Sequence, residues 1–398
     1  MAAPARSHAL ARSPWVERLC HWLESAWRAG ICSRPSLDPE ALWARACLTV
    51  SPAGETGGRD VEDVADFRQR LERLCGALEG EAALNPLGRT MAHGQLVRVI
   101  RQRLRLGALW RKRPDLLETR LAPPILVVGQ MRAGTTRVHR LLAADPAHAA
   151  TRFCDSWYPL PETPDFRPVW AIGTLAFARL LDPWLDTIHP FGTARADEEL
   201  GWLAEALSPC AYEAQWRVPS FVAWSEARDP LPVYREFARL LATDAAHRGN
   251  SHKPRVLKVP QFAEDLPALL TLFPQARVVV ARRGPEQVSA SAVSLVANQM
   301  AIQSDQADLA WIKAECARKV ALRERRMNAA VANWPGAAAG VEYNALDRDW
   351  LSAIAGIYRE LELDLTPAAL AAMRVEQGRA SRSRHTAHSQ AYGGFART

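Results

Sequence analysis

The sequence has no C-x-x-C pair. Its seven cysteines, Cys20, Cys32, Cys47, Cys75, Cys154, Cys210 and Cys316, are scattered and odd in number. That spacing excludes the usual zinc frameworks and a disulfide scaffold. It predicts reduced thiols in a cytoplasmic protein, most of them serving as small buried packing groups. Long apolar runs are lacking too. The longest, around residues 170–178, is too short to span a bilayer, and residues 1–14 carry Arg6 and Arg12 without the apolar segment of a signal peptide. Internal repeats and low-complexity tracts are absent, and lysine is scarce, so the net charge of +7 rests almost wholly on arginine. A cationic surplus suits anionic ligands, whether nucleotide, nucleic acid or membrane. The 48% hydrophobic and 23% charged content is that of an ordinary globular chain, and 398 residues can bury one large core or two modest ones.

The stretch from Pro124 to Thr136 stands out against this background. Ile125 to Val128 is an unbroken apolar, partly β-branched run, as expected of a strand buried on both faces. A glycine-bounded loop, Gly129 to Gly134, follows, and Thr135 and Thr136 open a helical pattern with Val138, Leu141 and Leu142 on one face. Strand, glycine loop and helix N-terminus together direct backbone N–H groups at an anion, usually phosphate. The spacing approaches G-x-x-x-x-G-K-[ST], but Thr135 stands where that motif has its lysine, and the cation, Arg132, lies inside the loop. A phosphate-bearing ligand fits this arrangement; ordinary Mg-dependent nucleotide hydrolysis does not. A glycine-rich turn without a ligand is the alternative.

The chain divides into a helical layer over residues 1–118 and an α/β domain over residues 119–398. In the first part Phe67, Leu71, Leu74, Cys75 and Leu78 recur at helical spacing, as do Leu96, Val99, Ile100 and Leu104. This layer reads as packing for the sheet, with an acceptor-side lid as the other reading. Residues 151–235 are rich in proline and aromatic residues and read as irregular. Their aromatics either wall a pocket for an apolar ligand or anchor the core. Within this segment Asp197, Glu198 and Glu199 precede an apolar helical face, which places them in a first helical turn. There they can offset the helix dipole, or one of them can act as a general base. Strands are expected at Arg255–Val259, at Ala276–Arg283 and near Ala337–Tyr343. The second ends in two cations, then Pro285 opens a helix that carries Ser291. Helices are expected at 308–333 and 350–361, and the tail from Arg379 is basic and polar.

Two phosphate-type sites on one parallel sheet resemble the sulfotransferases that use 3′-phosphoadenosine 5′-phosphosulfate (PAPS), in particular the bacterial sulfotransferase family 3 type. Gly129-Gln130-Met131-Arg132-Ala133-Gly134-Thr135-Thr136 resembles that family's 5′-phosphosulfate loop, G-x-P-R-[ST]-G-T-T. Arg283-Gly284-Pro285 with Ser291 resembles its 3′-phosphate site. Val256-Leu257-Lys258-Val259-Pro260, His189-Pro190-Phe191-Gly192, Asp197-Glu198, and His385 with Tyr392-Gly393 match further phrases, from about residue 40 to the end. The chain departs from the pattern at Ala133, where the loop usually has a hydroxyl, and at Gly284, where an Asp is usual. It departs again at Pro260, which stands where related enzymes carry a catalytic His.

The resemblance implies a P-loop-like central parallel β-sheet flanked by helices, and in-line sulfuryl transfer from PAPS to a hydroxyl, or less favourably an amine, without metal. Arg132, Ala133, Gly134, Thr135 and Thr136 would hold the 5′ end of the donor, and Arg283 and Ser291 its 3′-phosphate. Lys258 would reach the sulfonate. Glu198 is the first candidate for general base and Asp197 the second, with His189 and Asp155 behind them. The partner would be a hydrophobic small-molecule or lipid-like acceptor, with neither nucleic acid nor a membrane span involved; a homo-oligomer is compatible with the sequence. A P-loop kinase or NTPase and a catalytically inert PAPS binder are the alternatives. So is a basic protein that binds nucleic acid or membrane, although the aromatics cluster where basic residues are sparse.

Overall fold

In the computed structural model, which describes residues 6–188 and 191–382, five strands form a single parallel sheet. They are β1 (Ile125–Gly129), β2 (Ala149–Ala150), β3 (Arg255–Leu257), β4 (Arg277–Arg282) and β5 (Ala338–Glu342), in the spatial order β2-β3-β1-β4-β5. Strand β1 is central and buried throughout, which its uninterrupted apolar run requires. Alternate residues serve opposite faces. Leu126 and Val128 join Leu257, Val278 and Val280 in a core shared with the helices Leu231–His247 and Phe262–Leu272. Ile125 and Val127 pack on the other side with Val138, Leu141 and Leu142 of helix Thr135–Ala143, and with Ile354 and Ile357 of helix Trp350–Glu360.

The strand order creates the site. After β1 the chain moves toward β2 at one edge, and after β4 it moves toward β5 at the other. The loops that leave these two adjacent strands therefore diverge, and a crevice opens at their carboxyl ends.

The amino-terminal layer contains helices Pro14–Arg28, Pro39–Cys47, Val61–Gly80 and Pro86–Lys112. Helix Pro86–Lys112 starts well: Pro86 needs no N–H partner, and the Asn85 side chain accepts from the Gly88 N–H at 2.7 Å. Leu71, Leu74, Leu96, Val99 and Ile100 share a core with Ala204, Leu207, Tyr212, Trp216 and Phe221. The layer is thus fused to the segment that follows the acidic triplet.

Residues 151–235 are not irregular. They hold helices Phe153–Trp157, Arg167–Leu181, Leu185–Ile188, Leu200–Glu205 and Pro219–Glu226, a 3₁₀ turn at Pro209–Ala211, and the start of Leu231–His247. Prolines that look like breakers, Pro168, Pro209 and Pro219 among them, occupy first-turn positions where the missing N–H costs nothing. Helix Pro285–Gln303 opens on its proline as expected, and helix Leu309–Ala332 is capped by the Asp308 carboxylate. Helix Pro367–Arg382 runs into the start of the basic, polar tail. His385, Tyr392 and Gly393 lie outside the described residues.

A buried charge cluster ties the layer to the sheet domain. The Glu236 carboxylate, on helix Leu231–His247, lies 2.6 Å from the Arg59 guanidinium and 3.6 Å from that of Arg103, all three being buried. Burial alone pushes the Glu236 pKa up, but Arg59 and Arg103 outweigh it and hold the group at about 2. We expect Glu236→Ala to destabilise the whole chain by about 3–5 kcal/mol, because two arginines lose a buried partner. The check is urea unfolding followed at several pH values. Because the folded pKa is depressed, the stabilisation is complete above the unfolded carboxylate value of about 4.3 and disappears as pH falls toward 2. The wild-type and variant curves should therefore converge in acid.

Candidate active site

The crevice is built from the ends of β1, β3 and β4. Beyond β1 the loop holds Arg132 with φ +73° and Gly134 with φ +88°. The left-handed turn at Gly134 caps helix Thr135–Ala143 at its start, and the Thr135 and Thr136 N–H groups have no acceptor among the described residues. The Arg132 Nε donates to the Ser291 hydroxyl at 2.8 Å. The Arg283 guanidinium donates to the Arg132 carbonyl at 3.0 Å and lies 4.1 Å from the centre of the Tyr343 ring. Two cations from two strand ends thus line the same crevice, where a polyanion can meet both.

At the end of β3 the Lys258 side chain is buried. Its ammonium donates to the Thr136 hydroxyl at 3.1 Å and is ion-paired with the Glu198 carboxylate. The acidic triplet lies just before helix Leu200–Glu205, with Glu199 at the cap position, and not in its first turn. Its members do different work. Glu198 meets Lys258. Asp197 accepts the Glu198 N–H at 2.9 Å. Glu199 is fully buried and accepts the Lys258 backbone N–H at 2.9 Å, fixing the chain where the lysine leaves the strand. Burial pushes the Glu199 pKa up to about 8, against the opposing effect of that hydrogen bond, so it is largely protonated at neutral pH.

These groups line one cavity of about 1820 Å³, with Arg132, Gly134, Thr135, Thr136, Lys258, Asp197, Glu198, Arg283 and Ser291 on its polar side. Phe153, Trp157, Leu175, Phe177, Phe191 and Trp216 supply apolar walls. The aromatic segment divides: some of its rings line this cavity, and others, Trp202 and Phe221 among them, are buried core anchors. Residues 123–367 match the profile of the Sulfotransferase family.

The chain belongs to the sulfotransferase family. Its fold matches the crystal structure of sulfotransferase STF1 from Mycobacterium tuberculosis with a TM-score of 0.75 and 30% identity, covering 85% of this chain and 92% of that one. Sulfotransferase STF9 from Mycobacterium avium shares the fold with a TM-score of 0.76 at 18% identity, over 90% and 95% of the two chains. No curated protein matches significantly.

Within this sulfotransferase fold the expected residues mostly converge. Ala133 is the exception: it is buried against Val288 and Val320 and does not itself line the cavity, and its N–H donates to the Gln130 carbonyl at 3.0 Å. Asp155 is also elsewhere. It is a buried carboxylate paired with Arg152 at 2.7 Å and with Arg167 and Arg248 at 3.2 Å, and it holds helices together. His189 lies outside the described residues. Among the described residues no group of three or more His, Cys, Asp or Glu side chains could hold a metal ion, and no helix is long and apolar enough to cross a membrane.

Sequence reasoning missed Tyr343, which stacks on Arg283 and abuts Gly134. Its position directly after β5 was the available signal. A Cβ at Gly134 would lie 2.7 Å from that ring. Gly134→Ala should therefore cost about 1–3 kcal/mol, from the left-handed backbone and the ring contact. It should also weaken anion binding at the loop. Thermal unfolding with and without pyrophosphate measures both effects.

Proposed function

We propose that this protein transfers a sulfuryl group from PAPS to a hydroxyl of a hydrophobic small-molecule or lipid-like acceptor. The observation that carries this reading is the opening of two cationic strand ends and one Lys–Glu pair onto a single cavity with apolar walls. The donor set fits PAPS. It offers two anion-binding poles, the Arg132 loop with its helix N-terminus and the Arg283–Ser291 pair, linked through the Arg132–Ser291 hydrogen bond. PAPS would supply the activated sulfuryl group with adenosine 3′,5′-bisphosphate as leaving group.

The chain's own residues supply the rest. Arg132 and the Thr135 and Thr136 N–H groups can hold the charge that builds on the leaving phosphate, with no reorganisation at the moment of transfer. Lys258 can balance charge on the sulfonate. Glu198, within its reach, accepts the acceptor's hydroxyl proton as the oxygen–sulfur bond forms and the sulfur–oxygen bond to the leaving group breaks. Fixed cations take the part that Mg plays in phosphoryl transfer. The apolar walls favour an acceptor with a hydrocarbon or aromatic body.

Calorimetric titration with adenosine 3′,5′-bisphosphate, in EDTA and beside ATP, tests the donor. We expect metal-independent binding of the 3′-phosphorylated ligand in preference to ATP; binding of ATP only with Mg would overturn the reading in favour of a P-loop kinase. Arg283→Ala should weaken the bisphosphate by about 1.5–3 kcal/mol, the cost of a charge-assisted hydrogen bond. Glu198→Gln should leave that affinity intact and reduce turnover by about 10²- to 10⁴-fold. An undiminished rate would move the general base elsewhere.

A further inference from the structure

The cavity extends beyond the Lys–Glu pair to a wall formed by the amino-terminal layer. Met91, Gln95 and Arg98 of helix Pro86–Lys112 line it, spaced four and three residues apart so that they share one face. Opposite them are Gln215 and Trp216. The Gln95 amide donates to the Gln215 carbonyl oxygen at 3.1 Å, and Gln215 in turn donates to the Ala211 carbonyl at 2.7 Å. A buried relay, from Trp216 Nε1 to the Gln303 carbonyl oxygen at 2.7 Å, fixes the same wall from behind.

Arg98 is held in place with donors to spare. One terminal nitrogen donates to the Gln102 side chain at 2.8 Å and to the Trp157 carbonyl at 2.9 Å, while the Trp157 ring centre is 5.6 Å from the guanidinium carbon. Its Nε and second terminal nitrogen have no hydrogen-bond partner among the described residues. The nearest carboxylate, Glu205, is 3.6 Å away, an ion-pair distance too long for a hydrogen bond, and neither of its oxygens accepts a hydrogen bond among the described residues. Burial pushes the Glu205 pKa up to about 8 against the opposing effect of Arg98, so this buried carboxyl offsets the guanidinium only in part at neutral pH.

We infer that Arg98, with Gln95 and Gln215, forms a second polar subsite that binds an oxyanion at the end of the acceptor remote from the sulfated hydroxyl. The acceptor is then an amphiphile with an apolar middle, one nucleophilic hydroxyl and one anionic group. A planar guanidinium with two open donors matches a carboxylate, and Gln95 can add a third N–H. Trp157, Trp216 and Met91 cover the apolar middle. The inference rests on the sulfotransferase reading only in calling the bound molecule an acceptor.

Three matched probes test it: ω-hydroxylauric acid, its methyl ester and lauryl alcohol. The protein should sulfate the acid with a KM at least about tenfold below that of the ester or the alcohol, with similar kcat, as a charged hydrogen bond predicts. Arg98→Met keeps the apolar volume, and Gln102 still donates to the Trp157 carbonyl at 3.2 Å, so the fold should survive. This variant should erase the preference, leave the ester unchanged and leave affinity for adenosine 3′,5′-bisphosphate unchanged. Arg98→Lys should restore part of the preference. Equal KM values in the wild type, or a preference that survives Arg98→Met, overturn the subsite. If no probe is sulfated, binding followed by tryptophan quenching decides. Tighter binding of the acid that Arg98→Met abolishes upholds the subsite and removes only the acceptor reading, whereas equal binding of acid and ester overturns the subsite.

Discussion

Gly129 pairs with Ala281 where β1 and β4 both run out. Parallel strands end on the same side of a sheet, so the loop carrying Arg132 and the turn carrying Arg283 must emerge side by side. The close pairing admits no side chain: a Cβ on Gly129 would fall 2.5 Å from the Ala281 carbonyl oxygen. From this register follow the contact between Arg283 and the Arg132 carbonyl, the bond from Arg132 to Ser291, and the place of Tyr343 at the end of the neighbouring β5. Lys258 enters from the other side, at the end of β3, which also pairs with β1. The cationic rim of the cavity is thus a consequence of strand order before it is a matter of individual side chains.

The acidic triplet shows how environment assigns roles to similar groups. Three neighbouring carboxyls differ in burial and partners, and only Glu198 is both half-buried and in contact with the strand-end lysine. Glu199 is displaced toward the protonated form by burial and holds backbone. Asp197 turns back to the chain that follows it. A reading of composition alone would treat the three as interchangeable.

Legibility followed burial pattern. Strands β1 and β4 and the start of β3 were readable because buried parallel strands need continuous apolar runs, and the loop after β1 because its glycines and its cation have fixed spacing; β5, at the sheet edge, buries only alternate residues and leaves a weaker signal. Strand β2, only two alanines long, leaves no such trace. The segment 151–235 was misread because proline signals both a break and a first turn, and the sequence does not say which. The polar groups at the ends of strands were found; Gln95 and Arg98 were not, because a charged residue at helical spacing normally marks a solvated face. Here that face meets a cavity instead of bulk water. Ala133 was counted with the loop by its position, but a residue inside a tight turn need not face the same way as its neighbours.

Helix Pro86–Lys112 carries two independent inscriptions on one rod. Leu96, Val99 and Ile100 are committed to the shared core, and Met91, Gln95 and Arg98 to the cavity wall. Because the two sets interleave without sharing a position, the wall can be rewritten by substitution while the rod keeps its seat. A family that keeps one sheet and one rim of cations can in this way diversify what the cavity admits without first having to rebuild the scaffold that holds it.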